Sequence, residues 1–583
     1  MKEQAEKLQH IRHSFAHLLA AAVLRLWPDT KPTIGPAIEN GFYYDFEFKS
    51  PISDKDLPKI EKMMRKTLQD WKGFERFEVS ANEAKKEFKT NDFKLELIKD
   101  LEKEKQAITI YQSGHFRDLC RGGHVEDMKE MNPEAFGLAK TAGAYWRGDE
   151  KKPMLTRIYG YAFATKDELE AYKKMLEEAE KRDHRKLGQE LDLFTFSEYV
   201  GAGLPLYTPR GTVLIREISA YLNELKASKG YDFVDIPHIA KSELYKTSGH
   251  WDKFKDGIFK VQGQSEEFVL KPMNCPHHTQ IYASQLRSYR DLPLRYAEIT
   301  KQYRDEQSGE LHGLSRVRSI TIDDTHIFCR QDQMLEEAKN AFAIIAEFSK
   351  TLGLHYRVTL SVRDPKRKKD YLGSDEVWEK AEQALAQVLK DEGQEFTVEE
   401  GEAAFYGPKI DFHQLDAIGR TWQLSTIQLD FNQPERFKLE YTDTKGEKVR
   451  PVMLHIAVAG SLERFLSIAI EHFAGAFPLW LSPSQVQLIP VTSKHEEFVL
   501  QMADEFRTQG IRVDVDLMNE TVGNKIRKAI KRKVPYLLVI GDKELASPKL
   551  HVRKRGSEEV HEYTKKKFFE DIQEKIAQRS LEL

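Results

Sequence analysis

The sequence predicts an α+β multidomain protein, and three observations carry that reading. At 583 residues the chain is long enough for roughly three or four domains of ordinary size. Hydrophobic residues make up 40% and charged residues 31%, the balance of a globular chain rather than a disordered one. The residue patterning also changes twice, across a charged helical stretch at 167–191 and again beyond Pro483. A formal net charge of only -3 means that contact with nucleic acid has to come from local basic patches. Cys120, Cys275 and Cys329 lie far apart, which argues for a reducing compartment and against a disulfide framework. The start, MKEQAEKLQHIRHSF, carries charge where a secretion signal needs an apolar core, and the uncharged run 473–493 is broken by Pro478, Pro483 and Pro490. A cytoplasmic protein without a membrane span is expected.

Residues 11–27, IRHSFAHLLAAAVLRLW, repeat apolar positions at three and four and predict the clearest helix. His13 and His17 share one face of it. A pair at that spacing is a zinc-ligand pattern, but the metalloprotease motif puts Glu directly after the first His, and Ser14 stands there. Residues 32–48, PTIGPAIENGFYYDFEF, end as an aromatic strand suited to lining a small pocket. In GHFRDLCRGGHVEDM, Cys120 and His124 repeat the helical spacing beside Gly122 and Gly123. The four side chains suggest a tetrahedral zinc site, a metal-free hydrolytic pocket or two unrelated features, and the residues leave all three open. Residues 142–163 read as strand, loop, strand. Opposite charges at i and i+4 then make 167–191 a helix and a candidate linker.

Beyond Leu191 a turn leads into an amphipathic helix at 211–227 and a strand that stops at Pro237. FVLKPMNCPHHTQIY sets Cys275 against Pro276 with His277 and His278 close behind. That suggests a metal ligand on a rigid turn, although a lone cysteine is more often simply buried. Arg304 to Phe328, RDEQSGELHGLSRVRSITIDDTHIF, predicts a hairpin with strand alternation from Leu314 to Ile322. Arg304, Arg316 and Arg318 suit a planar anion, and Asp323, Asp324 and His326 suit a metal or an ammonium; a charged, solvated hairpin fits the same residues. A helix near 332–352, a strand at 355–362 and a helix at 374–391 follow. Residues 403–431 alternate like two antiparallel strands around a turn at 417–419. Ala459, Gly460 and Ser461 lead into a helix with Glu463 and Arg464 in its first turn, a natural but unspecific phosphate site.

Beyond Pro483, strands at 485–491, 511–516 and 536–540 alternate with helices at 495–509 and 521–532, predicting a small α/β unit with a mostly parallel sheet. Lys525, Arg527, Lys528, Lys531, Arg532 and Lys533, with Arg553, Lys554 and Arg555 on a later strand, form either a solvated basic face or an RNA contact.

Together these motifs resemble one family over essentially the whole chain, the threonyl-tRNA synthetases of class II. His13-Ser-Phe-Ala-His17 with Cys120-x3-His124 is similar to the family's editing domain, Tyr303-Arg304-Asp305-Glu306 to motif 2, and Gly460-Ser-Leu-Glu-Arg464 to motif 3. Helix 211–227 with Pro237 resembles motif 1, which in the class builds a dimer interface. The resemblance implies an editing domain at 1–183, an antiparallel-sheet catalytic domain at 184–482 and an anticodon-binding domain at 483–583. The implied activity is ATP-dependent ligation of L-threonine to tRNA(Thr) through threonyl-adenylate, with hydrolysis of mischarged seryl-tRNA, in a homodimer.

The resemblance further implies one zinc ion per subunit on Cys275, His326 and His455, and magnesium with ATP. A hydrophobic pocket separates threonine from isosteric valine only weakly, whereas an open zinc site can take the substrate amine and hydroxyl. Serine keeps that hydroxyl and differs by a methyl worth about 1–3 kcal/mol, so a second sieve is needed. Arg304 and Arg464 would hold the α- and γ-phosphates, Glu306 the adenine amino group and Arg316 the γ-phosphate side. Asp324 and Tyr406 would take the threonine amine, with Lys409, Gln423 and Gln428 in the same pocket. His13, His17, Cys120 and His124, with Lys94 and Asp118, would place a water on the ester without metal. Asn519, Glu544 and Arg553 match anticodon-reading positions.

Three departures accompany the resemblance. Ile322 stands where the family has glutamine, His277 stands at the glycine of Cys-Pro-Gly-His, and the small domain that usually precedes the editing domain is expected to be missing. None removes a metal ligand or a motif arginine. A tRNA-binding paralogue impaired in charging and a zinc hydrolase centred on the N-terminal cluster are the rival readings.

Overall fold

The computed structural model describes residues 2–254 and 257–583, and the chain divides into two compact units, Met1–Glu177 and Glu178–Leu583. The first contains α1 (Lys2–Leu26), β1 (Gly41–Glu47), α2 (Leu57–Asp70), β2 (Glu75–Val79), α3 (Asp92–Lys103), β3 (Ile108–Ser113), β4 (Phe116–Leu119), β5 (Phe136–Tyr145) and β6 (Met154–Ala162). Helix α1 starts well before the predicted Ile11, because no glycine or proline interrupts it before Pro28. Its apolar stripe, including Phe15, Leu18, Leu19 and Ala22, packs with Phe42 and Phe46 of β1 and Ile60 and Met64 of α2. β1, β6 and β5 pair antiparallel, and β2, β3 and β4 form a separate small sheet. The aromatic segment expected to line a pocket is mostly core: Phe42, Tyr44 and Phe46 are buried. The predicted linker helix is two helices, α4 (Lys166–Arg182) and α5 (His184–Glu190), parted at Asp183, which caps the second by accepting from Arg185 N–H at 2.8 Å.

The second unit continues with α6 (Pro209–Ala227), β7 (Asp232–Phe233), α7 (Cys275–Ala283), β8 (Leu294–Tyr303), β9 (Ser319–Cys329), α8 (Met334–Thr351), β10 (His355–Val362), α9 (Asp375–Asp391), β11 (Phe396–Glu400), β12 (Lys409–Leu415), β13 (Thr421–Asp430), β14 (Val452–Ala457) and α10 (Leu462–His472). Among the described residues its main sheet runs β7-β8-β9-β14-β13-β12-β10-β11, antiparallel except at its two edges. This is the expected antiparallel sheet. One face carries Ala297, Ile327, Leu454, Ile427, Leu429, Ile410 and Leu360 into a core shared with α6, α8, α9 and α10. Successive strand residues alternate sides, so the opposite face is free to carry polar chemistry.

Two local expectations change. The hairpin strands are β8 and β9, paired from Leu294 with Phe328 to Tyr303 with Ser319, so residues 304–318 are their connecting loop rather than a strand. Leu314 to Arg318 spend backbone groups outside any ladder: Leu314 N–H donates to His184 and Arg318 N–H to Gly203 O. Cys275 sits not on a turn but at the first position of α7, with Pro276 in the first turn, where a proline costs the helix no hydrogen bond.

A last sheet holds β15 (Val486–Pro490), β16 (Val513–Val515), β17 (Tyr536–Ile540), β18 (Lys549–Lys554) and β19 (Val560–Thr564), with α11 (Glu496–Thr508) and α12 (Val522–Lys531). β16, β15 and β17 are parallel, and β18 and β19 add antiparallel, so the sheet is mixed rather than mostly parallel. No helix among the described residues is long and apolar enough to cross a membrane.

Candidate functional site

Strand register builds the first site. Tyr296, His326, His455, Gln428, Lys409 and Ser361 are paired in one continuous row across β8, β9, β14, β13, β12 and β10. All six therefore project from the face opposite the core. Cys275 meets this row from α7, and one ligand atom from each of Cys275, His326 and His455 lies within 4.8 Å of the others. The far side of each ring is engaged. Asp430 Oδ2 stands 2.9 Å from His455 Nε2. His326 Nδ1 lies 2.8 Å from His278 Nδ1, and His278 Nε2 stands 3.6 Å from Glu298. If His326 Nδ1–H donates, His278 accepts and keeps its own proton on the side of Glu298. The remaining donors, a sulfur and two imidazole nitrogens, suit zinc with an open fourth position. Burial pushes the Cys275 thiol up and His326 down, and a bound cation would reverse the first of these.

The two adjacent aspartates have opposite duties. Asp323 faces the core, pairs with buried Lys226 and accepts from the N–H groups of Val458 and Ala459 at 2.9 and 3.0 Å. It holds the approach to α10 and is not a ligand. Asp324 faces the site, where Asn274 donates to it at 3.0 Å and Gln302 at 3.4 Å; burial raises its pKa. Tyr406 stacks obliquely 5.1 Å from His455. Lys409 is paired with Asp411, which also accepts from Ser361 and Thr426. Gln423 lies an odd number of positions from Gln428, yet a register shift at Phe412/His413 keeps Leu424, Ile427 and Leu429 together in the core. The extra residue returns Gln423, which is exposed, to the side of Gln428. Ile322 shares the face of Asp324, opposite Thr300, and has no polar group to offer there.

Among the described residues Arg304 has no carboxylate partner. It lies over Phe254 at 5.0 Å and donates to Met273 Sδ at 3.1 Å. Burial lowers its pKa, and Arg464 adds to that; burial and then Arg316 do the same for Arg464. Clustered cations held back from water are a site for an anion. Arg464 Nε donates to Ser315 O at 3.1 Å. Arg316 and Glu306 are paired to each other at 2.7 Å. A cavity of about 280 Å³ is lined by Arg304, Glu306, Phe254 and Gly257.

The second site lies in the first unit. His13, His17, Cys120 and His124 come together with ligand atoms within 4.8 Å of one another, so they are not unrelated features. Gly122 and Gly123 make this possible with φ of 106° and 85°, a backbone that turns Cys120 and His124 back onto α1. Cys120 Sγ lies 3.6 Å from His13 Nε2 and 3.3 Å from His124 Nε2. His13 Nδ1 lies 3.2 Å from Gly123 O, and Ser14 Oγ lies 3.3 Å from His124 Nδ1. Burial first, and then neighbouring histidines, lower His124 to about 2 and hold His17 well below its ordinary value; burial pushes Cys120 up to about 11. Lys94 and Asp118 form a buried ion pair that also engages Tyr44. A cavity of about 320 Å³ borders Cys120 and Ile34, but none of the three imidazoles lines it.

In the last sheet Asn519 and Arg553 are exposed, and Arg553 lines a cavity of about 540 Å³ with Ile526 and Ile530 of α12. Glu544 accepts from Gly541 N–H at 2.9 Å and stands 3.1 Å from His551 Nδ1. The basic face is smaller than the sequence suggests: Lys525 is buried, Lys528 is paired with Glu520, and Arg555 is spent on the carbonyls of Lys533, Ala476 and Phe477.

Sequence reading missed Asp430, Glu298, Asn274 and His250. Asp430 and Glu298 act from neighbouring strand positions that no local spacing marks. His250, buried 3.7 Å from Cys275 Sγ, follows Gly249 in an otherwise ordinary helix break.

The chain is similar to known proteins over nearly its whole length. Residues 259–473 match the family described as the tRNA synthetase class II core domain (G, H, P, S and T), residues 485–575 an anticodon binding domain, and residues 108–159 the threonyl and alanyl tRNA synthetase second additional domain. The threonine–tRNA ligase of Gloeobacter violaceus is 48% identical over 99% of this chain and 93% of its own, and that of Thermotoga maritima 46% over 100% and 90%. Among solved structures, the RNA binding domain of threonyl-tRNA synthetase from Cryptosporidium parvum covers 69% of this chain and 99% of its own at 34% identity, with a TM-score of 0.64.

Proposed function

The chain belongs to the threonine–tRNA ligases, and from that premise we propose that it activates L-threonine as threonyl-adenylate, transfers it to tRNA(Thr), and hydrolyses seryl-tRNA(Thr) at the N-terminal cluster. The observation that carries this reading is the row of side chains across the antiparallel sheet, which brings His326 and His455 to Cys275 beside a group of partly desolvated arginines.

Zinc, bound by Cys275, His326 and His455, would supply a Lewis-acid position for the amine and hydroxyl of threonine that valine cannot fill. Asp324, held on the site face by Asn274 and Gln302, takes the ammonium. Tyr406, Lys409, Gln423 and Gln428 complete the threonine pocket. Arg304 holds the α-phosphate and Arg464 the γ-phosphate, and magnesium arriving with ATP would supply further positive charge against the phosphates. The threonine carboxylate then attacks the α-phosphorus in line, pyrophosphate leaves, and the guanidinium groups stabilise charge on the phosphoryl oxygens. Glu306 reaches the adenine amino group, and Arg316 the γ-phosphate side, once their mutual pair opens.

At the N-terminal cluster, His13, His17 and His124 are neutral bases and Cys120 is a neutral thiol near pH 7, which suits placing a water on an ester. Lys94 and Asp118, a buried ion pair, would help to position that water. Residues 1–183, 184–482 and 483–583 would then be the editing, catalytic and anticodon-binding domains, with Asn519, Glu544 and Arg553 reading the anticodon and α6 contributing to a homodimer in the cytoplasm. Threonine-dependent pyrophosphate exchange, measured with zinc content, tests the reading. A zinc-replete protein that gives no exchange would refute it.

A further inference from the structure

Asp183, His184 and Glu471 also bring three ligand atoms within 4.8 Å of one another, but their hydrogen bonds leave no free imidazole nitrogen for a cation. His184 Nδ1 lies 2.7 Å from Glu471 Oε1, which also accepts from His184 N–H at 3.0 Å. On the other side of the ring, Leu314 N–H donates to His184 Nε2 at 3.1 Å. The tautomer follows: Nδ1 carries the proton and Nε2 accepts. Asp183, the third member, is occupied by Arg185.

Two observations show that this ring is fitted to the loop between β8 and β9. Gly313 has φ +49°, and a Cβ there would run into the His184 imidazole, so the loop comes closer to the ring than any other residue type allows. Ser315, next in the chain after Leu314, accepts from Arg464 Nε. Residues 313–315 are therefore gripped twice from α10, directly by Arg464 in its first turn and through His184 by Glu471 two turns later. Glu471 is itself anchored by Arg420, whose Nε donates to Asp416 at 2.7 Å.

We propose that His184 is a positioning residue for ATP: by holding the backbone of Leu314 against α10, it sets the place of Arg316 relative to Arg464. The proposal rests on the phosphate reading of those two arginines. Without the Nε2 acceptor, Leu314 N–H loses its partner and the loop its second anchor, so ATP is gripped less well while the threonine pocket on the sheet is untouched.

The full chain is tested in threonine-dependent pyrophosphate exchange with His184→Phe, which fills the ring's space but accepts nothing, and His184→Gln, whose amide oxygen can stand where Nε2 stands. His184→Phe should raise KM for ATP about tenfold with KM for threonine within about twofold, and His184→Gln should recover most of the loss. Gly313→Ala, which pushes the loop off the ring, should give the same ATP-selective rise and serves if His184→Phe does not fold. If Phe and Gln variants behave alike, or if both KM values move together, the inference is overturned. Arg464→Ala separates the two layers: an unchanged ATP constant there removes the phosphate reading itself, whereas a weakened one beside a normal His184→Phe removes the positioning role alone.

Discussion

The two histidine–cysteine clusters are alike in composition and differ in what stands behind their rings. In the second unit His455 is backed by Asp430, and His326 by His278 with Glu298 beyond it. In the first unit the rings lean on one another, on Gly123 O and on the Ser14 hydroxyl, and the nearby carboxylate, Asp118, is spent on Lys94 and Tyr44. A metal-bound imidazole must keep one nitrogen unprotonated and aimed, and a carboxylate behind the other nitrogen secures both. A base that activates water needs only to stay neutral, and burial alone arranges that. On the proposed roles, the same residue types would be steered to two chemistries by their outer partners.

The largest effect should come from removing a ligand backed in this way. Cys275→Ala or His455→Ala should abolish stoichiometric zinc and lower threonine-dependent exchange by more than about a thousandfold, while Cys120→Ala keeps its zinc. Zinc lost from Cys120→Ala and retained in Cys275→Ala would invert the comparison and favour a zinc hydrolase.

Next in size, His13→Ala or Cys120→Ala should slow hydrolysis of seryl-tRNA by about 10²–10⁴-fold and leave threonylation as it is. The pH dependence sharpens this. Burial lowers these imidazoles, so their base form persists below the ordinary histidine value. Seryl-tRNA hydrolysis should therefore hold its rate as pH falls from 7.5 to about 6, where an exposed histidine base of ordinary value near 6.5 would already be losing activity. Unchanged clearance of serine in both variants would remove the editing role from this cluster.

How legible each cluster is in the sequence depends on what builds it. His13 with His17, and Cys120 with His124, are local spacings, readable once a helix and a glycine turn are assigned. Only their meeting needed the fold. His326 and His455 are joined by strand register and Cys275 reaches them from α7, across long stretches of chain, and spacing alone does not pair the three; the family resemblance does. The strand His355–Val362 and the helix from Asp375 to Asp391 coincide with their predicted spans because alternation and helical period are strict there. The stretch from Leu314 to Arg318 misled because its alternation is real but its backbone partners are His184 and Gly203, not a strand. Asp323 and Asp324 look equivalent in sequence, and only the strand's two-residue alternation sends one to the core and the other to the site.

A smaller effect tests the outer partners themselves. His278→Leu or Glu298→Gln should weaken zinc by about 10–100-fold in competition with a chelator, without removing a ligand. In the cobalt-substituted protein the absorption bands should shift for both variants, because the orientation of His326 changes. If both variants bind zinc as tightly as the parent chain, the relay behind His326 does not matter and the contrast between the clusters narrows to Asp430 alone.

The smallest effect is expected at His277, which lies between Cys275 and His278 in the chain and so shows whether proximity alone makes a ligand. Among the described residues both of its ring nitrogens are buried without a hydrogen-bond partner, and its ring stands 6.2 Å from that of Tyr245. It has neither the carboxylate of His455 nor the relay of His326, so it should contribute nothing to zinc. An unpaired buried polar group costs about 1–3 kcal/mol, and an apolar side chain of similar size avoids that cost. His277→Leu should therefore leave zinc affinity and exchange within about twofold while raising stability by about 1 kcal/mol, read from the denaturation midpoint at constant m. A loss of zinc in this variant would show that an imidazole without a fixed tautomer can still serve the metal. The outer partners would then be a consequence of the site rather than its cause.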